Sequence, residues 1–300
     1  MRAPRRLTLT VAPDQAGRKV DDLLRGPLGL SGTAVKRAKR LEDGILLDGV
    51  RAAAGDRVQA GQVLSVVVGD TELSGTILPA PGPLDIVYRD QDVLVLNKAP
   101  GVAVHPGPGH HADTIGNFLM DYYRKEGILA DFHPVHRLDR GTSGLLLVAL
   151  HGHAQEVLKE LLHTPSFRRV YLAVCEGVPE PLSGVIDAPI GRLEGSALAR
   201  TVRPDGQRAV TRYQTLGTGH GRALVRLELE TGRTHQIRVH MAHIGHPLTG
   251  DFLYGTEDPA LIPRPALHAA ELAFNHPITG RPMAFTAPLP QDMAALAPEE

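Results

Sequence analysis

The apolar segment Leu145-Leu146-Leu147-Val148-Ala149-Leu150 reads as a buried strand, and a chain that contains it must build layers around it. The strand is entered through His136-Arg137-Leu138-Asp139-Arg140-Gly141-Thr142-Ser143-Gly144, a loop of small and turn-forming residues that sets one carboxylate between two arginines. Opposite charges within a few Å favour an ionised carboxylate. Asp139 is therefore expected as an anion, able to serve as nucleophile, general base or stabiliser of positive charge, and poorly suited to general acid work. A structural Asp-Arg pair that only orders the loop fits the same residues equally well.

The stretch Leu78-Pro79-Ala80-Pro81-Gly82-Pro83 concentrates proline and glycine and predicts a semi-extended linker. It divides the 300 residues into a first domain at 1–78, a linker at 79–83 and a second domain at 84–290, with an alanine-rich, acidic tail at 291–300 expected to fray. In the first domain, Gly17 to Leu24 reads as an amphipathic helix. A second helix from Ser31 to Leu41 puts Val35, Ala38 and Leu41 on one face and Lys36, Arg37, Lys39 and Arg40 on the other. That basic face suits a phosphate backbone, although a merely solvated helix face reads the same way. In the second domain, strands are predicted at 85–88 and 93–96, at the Tyr171 segment, at 209–213 and 223–230, and in a final hairpin at 271–274 and 282–285. Helices are predicted at 114–125, 154–162 and 234–244. The expected class is α+β: a small helix-and-strand domain, then a mixed, mainly antiparallel sheet with flanking helices.

Composition narrows the function. Hydrophobic residues at 42% and charged residues at 22% are those of a soluble globular protein, and no apolar run approaches the ~18 residues that span a bilayer. The start, Met1-Arg2-Ala3-Pro4-Arg5-Arg6, lacks a signal-peptide core, so the cytoplasm is the expected compartment. Cys175, the only cysteine, excludes intrachain disulfides and cysteine-rich zinc sites, and reads as a small buried hydrophobe. Among fifteen histidines none forms a two-His-one-Glu helix motif, and His240 and His243 have no evident carboxylate partner, so no metal is expected. Net charge is -1, with residues 1–78 at +3, so any nucleic-acid contact must rest on local patches.

The loop around Asp139 closely resembles the signature of the RluA/RluD-type pseudouridine synthases, which isomerise uridine to pseudouridine in ribosomal and transfer RNA. Two further blocks carry the resemblance: Arg168-Arg169-Val170-Tyr171-Leu172-Ala173-Val174 and Glu230-Thr231-Gly232-Arg233-Thr234-His235-Gln236-Ile237-Arg238-Val239-His240. It extends from about Leu84 to Leu289. The resemblance implies that Asp139 is the essential carboxylate, that Arg238 pairs with it, and that Tyr171 stacks on the uracil and serves a later proton transfer. It implies a flipped nucleotide, with Arg137 filling the vacated stack or contacting a phosphate. His136, Arg140, Lys98 and His105 are implied as further RNA contacts, although Lys98 and His105 equally suit a plain strand-to-loop connection. The first domain is similar to the RNA-binding domain named after ribosomal small-subunit protein S-four, with Gly32 standing where that domain often has arginine. No cofactor is implied, and a monomer is expected. Large-subunit ribosomal RNA is the favoured substrate and transfer RNA the alternative; a non-catalytic RNA-binding or ribosome-assembly protein is the remaining rival.

Overall fold

The computed structural model of the chain describes residues 3–298. In the amino-terminal part, strands β1 (Arg6–Thr10), β2 (Ile45–Leu47), β3 (Val50–Arg51) and β4 (Val63–Val67) form an antiparallel sheet in the order β1-β4-β2-β3. Helices α1 (Val20–Arg25) and α2 (Gly32–Arg40) cover it, and Val20, Leu23, Leu24, Val35, Leu64 and Val66 form its core. Helix α2 starts where the Ser31 hydroxyl accepts the Ala34 N–H at 3.2 Å.

The second sheet has ten strands. These are β5 (Ile86–Arg89), β6 (Val93–Lys98), β7 (His133–Pro134), β8 (Ser143–Ala149), β9 (Phe167–Glu176), β10 (Ser183–Asp187), β13 (Val210–Gly219), β14 (Arg222–Leu229), β15 (Leu267–Asn275) and β16 (Pro282–Thr286). Between β10 and β13 the short strands β11 (Ile190–Arg192) and β12 (Arg200–Val202) pair on their own. The main path runs β10-β13-β14-β9-β15-β8-β6-β5, antiparallel except where β15 meets β8. Helices α3 (Ile115–Glu126), α4 (Gly152–Leu161), α5 (Gln236–His243) and α6 (Gln291–Ala294) pack around it.

All seven residues of β8 are buried, as the apolar run predicts. Leu146 and Val148 enter the core under α3, while Leu145, Leu147 and Ala149 enter the core under α4. Alternating residues of one strand thus fill two cores, because a sheet covered on both faces has no wet side. Helix α4 begins two residues earlier than expected because His151 caps it: His151 Nδ1 accepts the Ala154 N–H at 3.2 Å, and Nε2 is fixed 2.9 Å from Asp92.

One expectation is corrected. The tail at 291–300 does not fray over its described part: Met293 is fully buried, and Leu296 and Ala297 pack with it against Val174 and Leu224. The linker has no regular structure but adheres to α3, where Asn117 Nδ2 donates to the Leu78 carbonyl at 2.8 Å and a Cβ at Gly82 would collide with the Phe118 ring. The two sheets are also tied directly, with Arg5 Nε 2.8 Å from Asp92 Oδ1.

Candidate active site

Asp139 lies in the turn from β7 to β8, and the backbone of that turn is fixed from several sides. Thr142 N donates to the Asp139 carbonyl at 3.1 Å. Gly144 adopts φ +105° at the close approach of β8 to β15, where a Cβ would stand 2.3 Å from the Ala269 carbonyl oxygen; only glycine fits. Lys98 Nζ donates to the carbonyls of Ala99, Val102 and Arg140 at 2.8, 2.8 and 3.2 Å. Arg264, paired with Asp292 of α6 at 2.7 Å, donates through Nη1 to the Gly141 carbonyl at 3.1 Å. Two buried basic side chains therefore hold the loop just after Asp139, whose own carboxylate is half-buried and lines a cleft of about 810 Å³.

Helix α5 brings Arg238 to the same cleft. The loop before it is anchored by Gln236, which accepts from the Thr231 hydroxyl at 2.8 Å and from Arg233 N at 2.9 Å, and donates to the Val210 carbonyl at 3.0 Å. Arg238 Nε and Nη2 each donate to Asp251 at 2.7 Å, a buried bidentate pair, while Nη1 stands 3.7 Å from Asp139 Oδ2. That last distance gives charge attraction without a hydrogen bond. Burial opposes the Arg238 charge, but the hydrogen bonds and charge of Asp251, with Asp139 beyond them, raise its pKa above the ordinary value. Asp251 Oδ1 also accepts from Leu253 N at 3.0 Å and Tyr254 N at 3.2 Å. The Tyr254 hydroxyl accepts from Arg200 N at 2.8 Å and lies 2.8 Å from His235 Nδ1. His235 itself sits at φ +58°, a strained left-handed conformation for a non-glycine residue.

Tyr171, on β9 between β14 and β15, is 5% exposed and lines the cleft. Burial pushes its phenol above the ordinary pKa, with Asp139 adding to the effect and Arg169 opposing it. A phenol so placed stays protonated at neutral pH and is better suited to stacking and donating than to accepting a proton.

The remaining expected residues divide by exposure. Arg137, Arg140 and His105 are exposed at the cleft, together with Lys159 and Arg233. Lys98 is buried and consumed by three carbonyls, which leaves it to the strand-to-loop connection rather than to RNA, and His136 is buried in the wall of the cleft, where Nε2 accepts from Leu147 N at 3.3 Å. On α2, Lys36, Lys39 and Arg40 are exposed, but Arg37 turns inward to the Val68 carbonyl at 2.6 Å, and Lys39 lies 3.4 Å from Asp21. Among the described residues, metal-type donors come together at Asp90, Asp92 and His276, outside the cleft, where Asp92 is engaged by Arg5 and His151. Cys175 is buried, and its thiol is pushed up to about 12.

A carboxylate at a turn, a guanidinium across from it and a buried tyrosine on the adjoining strand lie within the region, residues 92–243, that matches the family model of RNA pseudouridylate synthase. The chain belongs to that family. Its reaction class is isomerisation. An uncharacterized RNA pseudouridine synthase of Bacillus subtilis, YjbO, is 43% identical over 271 residues, covering 90% of this chain and 95% of its own. The ribosomal large subunit pseudouridine synthase D of Escherichia coli is 37% identical over 309 residues, covering 97% and 93%. Among solved structures, human RNA pseudouridylate synthase domain containing 1 aligns with a TM-score of 0.60 at 28% identity, covering 73% of this chain and 91% of that one. Sequence reasoning did not single out Asp251, Tyr254 or Arg264, because polar residues in irregular segments carry no periodicity that would mark them as buried.

Proposed function

We propose that this synthase isomerises specific uridines in structured RNA, large-subunit ribosomal RNA in the first place, with Asp139 as the essential carboxylate. The observation that carries the reading is the contact between Asp139 and Arg238: the guanidinium is locked by Asp251 and still presents Nη1 to Asp139 at 3.7 Å. An anion held in this way is oriented for attack on ribose carbon 1′ or removal of a carbon 2′ proton, without being neutralised by a direct hydrogen bond. Tyr171 packs on the uracil, and Arg137 enters the stack that the flipped nucleotide leaves, at an unstacking cost of about a few kcal/mol.

Exposed cations at the cleft supply phosphate contacts that position the RNA. Residues 1–78 act as an RNA-binding domain of the S-four type, with Lys36, Lys39 and Arg40 as its phosphate contacts, and the enzyme works as a monomer without a cofactor. The likeness to a synthase named for the ribosomal large subunit supports the choice of RNA. The test uses RNA labelled with tritium at uracil carbon 5, since isomerisation releases that label to water. Large-subunit ribosomal RNA should release it with wild-type protein and not with Asp139→Asn. Release by the Asp139→Asn protein would refute the role of Asp139, and release from transfer RNA alone would move the substrate.

A further inference from the structure

Three N–H groups at the cleft are buried and have no partner among the described residues: Nε and Nη2 of Arg169, and Nδ1 of His136. Both side chains line the cleft that holds Asp139 and Tyr171, and both border the Phe167 ring, with the guanidinium carbon 5.8 Å and the imidazole centroid 6.2 Å from its centre. The His136 tautomer follows from its other nitrogen. Nε2 accepts from Leu147 N, and burial, reinforced by Arg169, pushes the imidazole down to about 3, so the ring is neutral and carries its hydrogen on Nδ1. The cluster is therefore made of donors only.

Leaving buried donors unmade costs about 1–3 kcal/mol each, and more for a charged group. No carboxylate of the described residues takes up the Arg169 charge. The guanidinium also has room kept for it, since a Cβ at residue 232, a glycine, would stand 3.2 Å from Nη1. A donor set without an acceptor, at a site that binds substrate, is completed by the substrate. Position decides which part of the substrate. Arg169 and Tyr171 are two apart on β9, on the same face of the strand and roughly 7 Å apart. Phosphates belong at the exposed mouth, where Arg137, Arg140, Lys159 and Arg233 stand.

We propose that Arg169 and His136 form the acceptor site for a uracil carbonyl oxygen, and that Arg169 stabilises the negative charge the ring acquires on detachment. This rests on the synthase reading given above. When the carbon 1′ to nitrogen 1 bond breaks, its electron pair stays on the ring and spreads over nitrogen 1 and the adjacent carbonyl oxygen. Asp139 either bonds to carbon 1′ and later leaves, or takes the carbon 2′ proton and later returns it. The ring then bonds through carbon 5 to carbon 1′, carbon 5 gives up its proton and nitrogen 1 takes one up, so no atom is gained or lost. A guanidinium without a counter-ion favours an anion that exists only after the bond has opened, which is selective for the transition state.

The experiment measures single-turnover tritium release at saturating RNA alongside RNA binding, for wild type, Asp139→Asn, Arg169→Met and Arg169→Lys. Removing one such donor typically costs about 100- to 1000-fold in rate. Arg169→Met should show that loss with a dissociation constant within about threefold of wild type, and Arg169→Lys should recover at least about tenfold of it. A saturating rate within about threefold of wild type, or a loss confined to binding and its salt dependence, would overturn the assignment in favour of a spectator or a phosphate contact. If Arg169→Met does not fold, the neutral Arg169→Gln takes its place: a saturating rate within about threefold of wild type refutes the proposal, and a slowed rate with unchanged binding supports it. A wild type that releases no tritium from any RNA refutes the parent reading, which is distinct from an active wild type with unaffected variants.

Discussion

Replacing Asp251 by asparagine removes a charge and leaves volume almost unchanged, so it isolates what the carboxylate does for Arg238. Asp251 is fully buried and Arg238 is 4% exposed, and after the change the nearest anion to the guanidinium is Asp139 at 3.7 Å. Removing one partner of a buried ion pair costs about 3–5 kcal/mol, because the other charge is stranded. Asparagine keeps one acceptor oxygen, which places the expected loss near about 3 kcal/mol. The chain has no tryptophan, so urea unfolding followed by far-ultraviolet circular dichroism is the suitable assay. The double variant Asp251→Leu with Arg238→Met separates stability from catalysis: an apolar pair of similar volume should return stability to near wild type while tritium release stays at least about tenfold down. An Asp251→Asn protein within about 0.5 kcal/mol of wild type would refute the stability argument, and a double variant with full activity would refute the role given to Arg238.

Three further outcomes are expected. The unfolded chain binds a proton at His136 below about pH 6.5 and the folded chain only near pH 3, so stability should fall as pH drops through that window, by up to about 4–5 kcal/mol; His136→Gln should flatten this acid limb in pH-dependent urea unfolding, and an unchanged limb would contradict the buried neutral ring. Gly144→Ala meets both φ +105° and the Ala269 backbone, so it should cost more than about 3 kcal/mol, and soluble, fully active protein with an unshifted melting temperature would count against it. Met293→Ala should cost about 2–4 kcal/mol by thermal unfolding and, by loosening the Asp292-Arg264-Gly141 connection, slow tritium release; a neutral result would mean that the tail does not brace the loop.

The contrast between Arg238 and Asp251 shows what a sequence makes legible. Arg238 falls in a helical pattern inside a recognisable block, so its approach to Asp139 could be anticipated, whereas Asp251 lies thirteen residues further on in an irregular segment with no spacing to betray it. The strand Leu145 to Ala149 was legible because an unbroken apolar run has few other uses. The insertion of β15 between β9 and β8 was not, since strand order depends on contacts more than a hundred residues apart. Lys98, His136 and Arg37 show the same limit from the other side. Their types suggest a wet, RNA-facing role, but Lys98 is turned to the Ala99 and Val102 carbonyls, the partly exposed Arg37 to the Val68 carbonyl and His136 into the wall of the cleft, by neighbours that carry no mark in the sequence. The tail looked free because alanine and glutamate dominate it, yet a single buried methionine docks it.

The central claim is tested most directly by mapping pseudouridines through carbodiimide primer-extension stops across total ribosomal and transfer RNA. The comparison is between cells lacking this protein and cells carrying only the Asp139→Asn form. The same large-subunit ribosomal RNA stops should vanish in both and return with the wild-type chain. Stops that persist unchanged in both would contradict the synthase reading and the role of Asp139 together.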